Sequence, residues 1–205
     1  LVYLYDKRFD IKLFFGRFID GSLNSPNVEA DRKIANEILN GGYILHFRHA
    51  NRDKWHDASM YDAIESNLPV DSQNLYRFGE GNFFEEAVCL SSKGIVQSKA
   101  IKIHLEHIKL PVSYIISSPS CRARQSAEII FNGYDKIDKT LLHRGPFNEN
   151  ENDHVRKLRE LYLNLPLEDE SNIIVFSHNN NIHRGMFNEV NADINLKLGL
   201  SEGGF

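Results

Sequence analysis

Three short apolar segments of the chain have the length and composition of buried β-strands. They are residues 43–47, 112–116 and 172–176, and they are rich in Ile, Val, Phe and Tyr. Apolar runs of about four to eight residues, bounded by glycine, proline or polar residues, are typical of strands inside a sheet. Gly41 and Gly42 precede the first run, and Pro111 precedes the second. We therefore predict three interior strands.

Helical spacing of apolar residues appears between and around these runs. In one segment Val96, Ala100, Ile103 and His107 recur every three or four residues, as they do along one face of a helix. We predict four helices, at 30–39, from a cap at Ser91 or Ser92 to about 109, after Pro119, and around 155–165. Strands that alternate with helices predict an α/β fold with a mostly parallel sheet.

Two parts of the chain lie outside this alternation. Residues 1–27 carry turn signals and are expected to be irregular. Residues 51–90 form a long insertion rich in aromatic side chains, and connections of that length are usually lids, binding loops or small subdomains. The predicted organisation is one domain over residues 28–205, with an insertion at about 51–90 and an irregular segment before it.

Composition and charge narrow the classes of function. The 205 residues are 41% hydrophobic and 25% charged, with a formal net charge of −4, and nucleic-acid binding would call for a basic surface instead. No run of about 18 apolar residues predicts a membrane span. The chain begins at Leu1 rather than Met, so an upstream segment is expected to have been removed or left out. Cys89 and Cys121 could be free thiols or one bridge, and both cytoplasmic and exported locations stay open.

Polar and charged residues follow each predicted strand directly. Arg48 and His49 follow the first strand, Ser117 and Ser118 the second, and His178 the third. In an open α/β sheet, ligands bind at the carboxyl ends of the strands. Arg122 falls in the first turn of the helix after Pro119, where free backbone N–H groups also favour an anion. Arg48, Arg122 and two histidines therefore predict a phosphate site.

Each motif alone has an ordinary structural explanation. An Arg-His pair on a strand is usually a surface or salt-bridged pair, and Ser-Ser-Pro is first of all a helix start signal. A histidine that ends a strand is more often a satisfied polar residue than a catalyst. The occurrence of all three motifs in one order is what favours the phosphate site.

Together the segments 45–50, 117–127 and 175–178 resemble the histidine phosphatase (phosphoglycerate mutase-like) superfamily. The resemblance runs from about Gly42 to Asn181 and implies a three-layer α/β/α sandwich. It implies that His49 is the nucleophile and that no metal or cofactor is required. It also implies a catalytic and phosphate-binding set made of Arg48, Arg52, Arg122 and His178. For Arg52, which matches the second arginine of an Arg-His-Gly-X-Arg pattern, the alternative is a loop arginine in solvent.

The sequence departs from the family pattern where a proton donor is expected. Ala50 replaces the usual glycine after the first histidine, and Asn179 stands where the phytase branch has an aspartate after the second. The mutase branch has a glutamate on a later loop, which makes Glu149 the candidate general acid, with Glu151 as its alternative. The other interpretation is a solvated acidic loop. Carboxylates of the insertion are further candidates, namely Asp53, Asp57, Glu80 and Glu85.

We therefore predict a phosphomonoester hydrolase that acts through a phosphohistidine intermediate. Its partner would be a small-molecule phosphate ester or a phosphorylated protein, and its oligomeric state stays open. The alternatives are a phosphoglycerate mutase-like or phosphohistidine phosphatase activity, and a non-catalytic phosphate-binding module. His104 and His107 lie three residues apart on a helix without other metal ligands at suitable spacing, so we predict that they lie on its surface.

Overall fold

The three predicted strands lie side by side in one sheet of a computed structural model, which describes residues 2–7, 10–15, 28–52, 89–142 and 151–178. The strands are β1 (Val2–Lys7), β2 (Asp10–Phe15), β3 (Tyr43–Arg48), β4 (Val112–Ser117), β5 (Lys136–Ile137) and β6 (Asn172–Ser177). The helices are α1 (Val28–Leu39), α2 (Ser92–His107), α3 (Cys121–Phe131) and α4 (Glu151–Leu163), with a short 3-10 helix at Lys139–Leu141.

The sheet has the strand order β2-β1-β3-β6-β4-β5. β3, β6, β4 and β5 run parallel to one another, whereas β1 pairs antiparallel with β2 and β3. The predicted α/β fold with a mostly parallel sheet is therefore confirmed. β3 and β4 are both neighbours of β6, so the three strands that carry the motifs end along one edge of the sheet.

Helices cover both faces of the sheet, because alternate strand residues point to opposite sides. On one face Ile44, Ile116, Ile173 and Val175 pack with Leu158 and Tyr162 of α4. The other face packs against α1, α2 and α3, through a cluster that contains Tyr43, Leu45, Phe47, Ile174, Phe176, Ile38, Ile101, Ala123, Ala127 and Ile130. The three predicted layers are thus present in the described part of the chain.

Asn172, at the start of β6, fixes the register of the sheet. Its side chain is fully buried, and its Oδ1 accepts the backbone N–H of Tyr43 at 3.2 Å. Its Nδ2 donates to the carbonyls of Ile38 and Pro111, both at 2.9 Å. One amide therefore joins the starts of β3 and β6 to the segments that lead into β3 and β4.

The turn between α1 and β3 depends on Gly41. Its φ is +88°, and a Cβ there would lie 2.2 Å from the carbonyl carbon of Glu170. Both the positive φ and the close approach exclude a larger residue without backbone movement.

One sequence-based expectation was wrong. Residues 1–27 were expected to be irregular, yet β1 and β2 lie within them and extend the sheet by two strands. β5 and the 3-10 helix lie after α3, where no element was predicted. The starts of α2 and α3 agree with prediction, and His104 and His107 are exposed on α2 as expected.

Other expectations concern residues outside the described ranges. Most of the insertion, residues 53–88, and the chain after His178 lie outside the described residues. Among the helices that are described, none has the length and apolarity needed to cross a membrane.

Candidate active site

The candidate site begins where β3, β6 and β4 end. The backbone N–H of His49 donates to Ser177 O at 3.1 Å, and that of Ser118 donates to Phe176 O at 2.9 Å. These bonds continue the sheet pairing one residue beyond β3 and β4. They hold the backbone of His49 and Ser118 on either side of the last residues of β6, directly before His178.

His49 and His178 face each other at this edge. Their side chains are 3% and 1% exposed, and their ring centroids are 5.3 Å apart. Two imidazoles this close and this buried are positioned by the fold rather than by solvent. The sequence placed them 129 residues apart, and the parallel pairing of β3 with β6 brings them together.

The tautomer of His49 follows from one hydrogen bond. Its Nδ1 lies 2.8 Å from the carbonyl oxygen of Ala50. A carbonyl oxygen can only accept, so Nδ1 carries the hydrogen. In the neutral ring, Nε2 then holds an unshared electron pair.

The neutral form of His49 is also the favoured one. Burial, followed by the positive charge of Arg122, holds the pKa of His49 well below its usual range, and Arg48 and Arg52 act in the same direction. The hydrogen bond to Ala50 opposes this shift. Three predicted arginines therefore lie within electrostatic reach of His49. Arg122 is 2% exposed, and Arg48 and Arg52 are partly buried.

Arg122 and His178 are in direct contact. Nη2 of Arg122 lies 3.2 Å from Nδ1 of His178, and a guanidinium can only donate. Nδ1 of His178 is therefore the acceptor, so the neutral ring has its hydrogen on Nε2. That N–H donates to Ser118 Oγ at 2.9 Å. The two histidines thus hold opposite tautomers, and only His178 offers a hydrogen from Nε2.

The start of α3 is anchored on several sides. A disulfide joins Cys121, the first residue of the helix, to Cys89. Arg124 is buried, and its Nε donates to the carbonyl of Pro119 at 2.8 Å. Arg122, the second residue of the helix, therefore projects from a fixed backbone. Of the two states that the sequence left open for Cys89 and Cys121, the structure has the bridge.

The residues after His49 are held by α2. The Asn51 carbonyl accepts from Ser91 N at 3.1 Å, and Asn51 Oδ1 accepts from Ser91 Oγ at 2.7 Å. The Asn51 N–H donates to Gln97 Oε1 at 3.1 Å. Gly94 is required at this contact, because a Cβ there would lie 2.0 Å from Asn51 O. This clamp determines the position of the backbone that leads to Arg52.

The structure brings together five of the predicted site residues, namely Arg48, His49, Arg52, Arg122 and His178. The candidate acid Glu149 and the carboxylates Asp53, Asp57, Glu80 and Glu85 lie outside the described residues, as does Asn179. Glu151 is the first residue of α4, and its side chain is likewise outside the description. In the described ranges, no group of three or more His, Cys, Asp or Glu side chains could hold a metal ion.

Sequence reasoning missed the supporting residues of the site. Ser118 was noted only as a strand end, but its hydroxyl is a partner of His178. Ser126, Asn51 and Gly94 were not singled out. Ser118 is the one with a readable signal, because it lies directly after a buried strand and before Pro119. The contacts of the other three depend on how α2 and α3 pack, which no local pattern encodes.

Comparison with known proteins gives matches only among solved structures. No protein-family model matches the chain, and no curated protein does. One matching structure is the open reading frame Rv3214 from Mycobacterium tuberculosis, at 15% identity and a TM-score of 0.41, covering 66% of this chain and 72% of that one.

Two further matches are phosphatases. The protein histidine phosphatase SixA, solved with tungstate, has 15% identity and a TM-score of 0.37, and the match covers 67% of this chain and 70% of that one. A histidine-to-alanine mutant of phosphoserine phosphatase from Entamoeba histolytica, solved with phosphoserine, has 13% identity and a TM-score of 0.37. That match covers 66% of this chain and 73% of the other.

Proposed function

We propose that this chain is a histidine phosphatase that hydrolyses phosphomonoesters through a phosphohistidine at His49. The observation that carries the proposal is the state of the His49 ring. Its Nδ1–H is held by Ala50 O, and its pKa is lowered by burial and by three arginines. An imidazole that is neutral at pH 7 and has its electron pair on Nε2 is suited to nucleophilic attack.

The arginines supply what a phosphoryl group needs. A guanidinium stays charged and offers a planar fork of donors, which matches the equatorial oxygens of the group in transfer. Arg122 is buried and fixed at the start of α3, so its charge acts in a region from which water is largely excluded. Arg48 and Arg52, whose charges also act on His49, are assigned the same role. Preorganised donors of this kind are usually the largest contribution to such catalysis.

His178 is assigned the role of a neutral donor to the phosphoryl oxygens. Because Arg122 donates to its Nδ1, its hydrogen is on Nε2 and points to Ser118 Oγ. On substrate binding, a phosphoryl oxygen would replace the serine hydroxyl as the acceptor of this N–H. The hydrogen bond to Arg122 holds the ring in place during that exchange.

The reaction would proceed in two displacements. First, Nε2 of His49 forms a bond to phosphorus while the bond between phosphorus and the ester oxygen breaks, and the leaving oxygen takes a proton from a general acid. Water then attacks the phosphohistidine and gives a proton to the carboxylate that the acid has become. The P–N bond breaks, its electron pair returns to Nε2, and phosphate is released. No step requires a metal ion. We assign the acid to Glu149, with Glu151 or an insertion carboxylate as alternatives.

The test is to trap the intermediate. The purified chain is mixed with a phosphate ester, quenched in alkali, and analysed for a mass increase of one phosphoryl group on the peptide that contains His49. We expect the modification in the wild type and in His104→Ala, which changes an exposed histidine of α2, but not in His49→Ala. A folded wild type that binds phosphate but never becomes phosphorylated would identify a binding module instead. Turnover by His49→Ala at a tenth of the wild-type rate or more would overturn the mechanism.

A panel of phosphorylated compounds, assayed on the purified chain, would identify the substrate class. It contains alkyl phosphates, a phosphorylated sugar acid and a phosphohistidine peptide. These test in turn for general hydrolase, mutase-like and phosphohistidine phosphatase activity. We expect hydrolysis of monoesters without return of the phosphoryl group to the product.

A further inference from the structure

Ser126 connects the two elements that carry the site. It lies on α3, one turn after Arg122, and its side chain is fully buried. Its Oγ donates to the carbonyl oxygen of Arg122 at 2.7 Å. Since the hydroxyl hydrogen is used there, Oγ is free to accept, and it accepts the backbone N–H of Ala50 at 3.0 Å. The hydroxyl thus joins α3 to the residue that follows His49.

Ala50 passes this contact on to the nucleophile. The residue is 1% exposed. Its N–H is held by Ser126, and its carbonyl accepts the hydrogen of His49 Nδ1. Both polar groups of one residue are therefore engaged, one by the helix that carries Arg122 and one by the His49 ring.

A serine that donates to the carbonyl four residues earlier is common in helices and by itself has no functional meaning. The contact with Ala50 is what distinguishes Ser126, since it spans 76 residues of sequence. Ser98 provides the contrast. It is equally buried on α2, yet within the described part of the chain its Oγ has no hydrogen-bond partner.

We propose that Ser126 is a positioning residue for phosphoryl transfer, acting on His49 through Ala50. It would hold the Ala50 carbonyl where it accepts from Nδ1, and so keep the electron pair on Nε2, at a fixed distance from Arg122. This inference rests on the proposed function for its kinetic consequence. Its structural consequence, the tautomer of His49, does not depend on that function.

The experiment compares Ser126→Ala, Ser126→Thr and Ser98→Ala in the full chain. The first readout is ¹⁵N NMR of the histidine rings, with His49 assigned from the His49→Gln spectrum. In the wild type and in Ser98→Ala we expect His49 as the Nδ1–H tautomer, and in Ser126→Ala a mixture of both tautomers. Ser126→Thr, which keeps the hydroxyl on the same carbon, should restore the wild-type signal.

The second readout is the single-turnover rate of phosphoenzyme formation with nitrophenyl phosphate. Misplacement of supporting groups typically costs about 10- to 100-fold in rate, and we expect Ser126→Ala to lose that much, with KM changed less than about threefold. Ser98→Ala should keep the wild-type rate.

The outcomes separate the two proposals. If the wild type forms no phosphoenzyme but the tautomer changes in Ser126→Ala, the proposed function fails while the positioning role stands. If Ser126→Ala keeps both the tautomer and the rate, the positioning role is overturned. It is equally overturned if Ser126→Ala does not fold, because the hydroxyl would then serve the fold as a whole.

Discussion

Arg122 donates a hydrogen bond from Nη2 to Nδ1 of His178 at 3.2 Å, with both side chains buried. The contact spans 56 residues of sequence and joins the helix after β4 to the end of β6. It orients the charge of one residue and the ring of the other at the same time. A substitution at either position is therefore expected to disturb both.

The first prediction concerns Arg122→Lys. Lysine keeps the charge but lacks the planar fork, so it cannot contact His178 and a phosphoryl oxygen in the same geometry. We expect kcat/KM for nitrophenyl phosphate to fall by about 10²- to 10³-fold, equivalent to roughly 2.7–4 kcal/mol. Arg32→Lys, an exposed position of α1, is the matched control. Near-wild-type activity of a folded Arg122→Lys chain would exclude Arg122 from the phosphate site.

The second prediction concerns the pH dependence of stability. Burial lowers the pKa of His46 to about 4, and its Nδ1 lies 2.5 Å from the Tyr162 hydroxyl. Between pH 6.5 and 4 the unfolded chain binds a proton at His46 that the folded chain excludes. The free energy of unfolding therefore decreases as the pH is lowered through this window, and His46 does not change it above pH 6.5. His46 alone can account for up to about 3 kcal/mol, and burial and neighbouring arginines lower the pKa of His49 in the same direction.

The measurement is the free energy of unfolding in urea at a series of pH values from 7.5 to 4.5. His46→Gln cannot titrate at this position, so its stability should fall less steeply between about pH 6.5 and 4.5 than that of the wild type. His104→Gln on the helix surface should leave the slope unchanged. Parallel curves for the wild type and His46→Gln would contradict the assignment.

The third prediction concerns Gly94→Ala. The added Cβ would meet the Asn51 carbonyl at 2.0 Å, so α2 or residues 50–52 must move. We expect a loss of about 1–3 kcal/mol in the free energy of unfolding, as is usual for overpacking, and a fall in activity because Arg52 is displaced. Lys93→Ala, an exposed neighbour on the same helix, should change neither. Unaltered activity in a destabilised Gly94→Ala chain would contradict the expectation that this contact positions Arg52 for activity.

The fourth prediction concerns the bridge between Cys89 and Cys121, which are 32 residues apart in sequence. Closing a loop of that length restricts the unfolded chain, so replacing both residues by serine should lower the free energy of unfolding by about 3–4 kcal/mol. Urea unfolding of the double variant measures this directly. Reduction of the wild type should give the same shift, and no shift in either experiment would show that the bridge is not formed in solution.

The fifth prediction concerns the general acid. Nitrophenyl phosphate has a good leaving group and needs little protonation, whereas alkyl phosphates need much more. If Glu149 is the acid, Glu149→Gln should slow alkyl phosphates far more than nitrophenyl phosphate, and Asn179→Asp should have at most a modest effect. Glu160→Gln, at an exposed position of α4, is the control. If Glu149→Gln changes the rates on alkyl phosphates and on nitrophenyl phosphate by the same factor relative to the wild type, Glu149 is excluded as the acid.

The sequence predicted the central strands because each is a continuous apolar run. It also predicted that His49, Arg122 and His178 meet, because parallel strands end at one edge. β1 and β2 were missed because the apolar residues at 2–5 and 13–15 do not indicate which strands they pair with.

The apolar residues that predict α2 lie exposed on it, with Val96 67% and Ile103 65% accessible. Its buried face is Gly94, Ser98 and Ile101, because Gly94 lies against the Asn51 backbone and Ile101 packs in the core.

The Asn172 side chain has a consequence for folding. It accepts from Tyr43 across 129 residues of sequence, and the two histidines are separated by the same span. Contacts between residues so far apart carry a large loop-closure entropy, which must be overcome before the pairing of β3 with β6 contributes any stability. A chain in which β3 and β6 have not yet paired therefore cannot hold His49 and His178 together. During refolding, catalytic competence should appear at the same rate as the native sheet and never ahead of it.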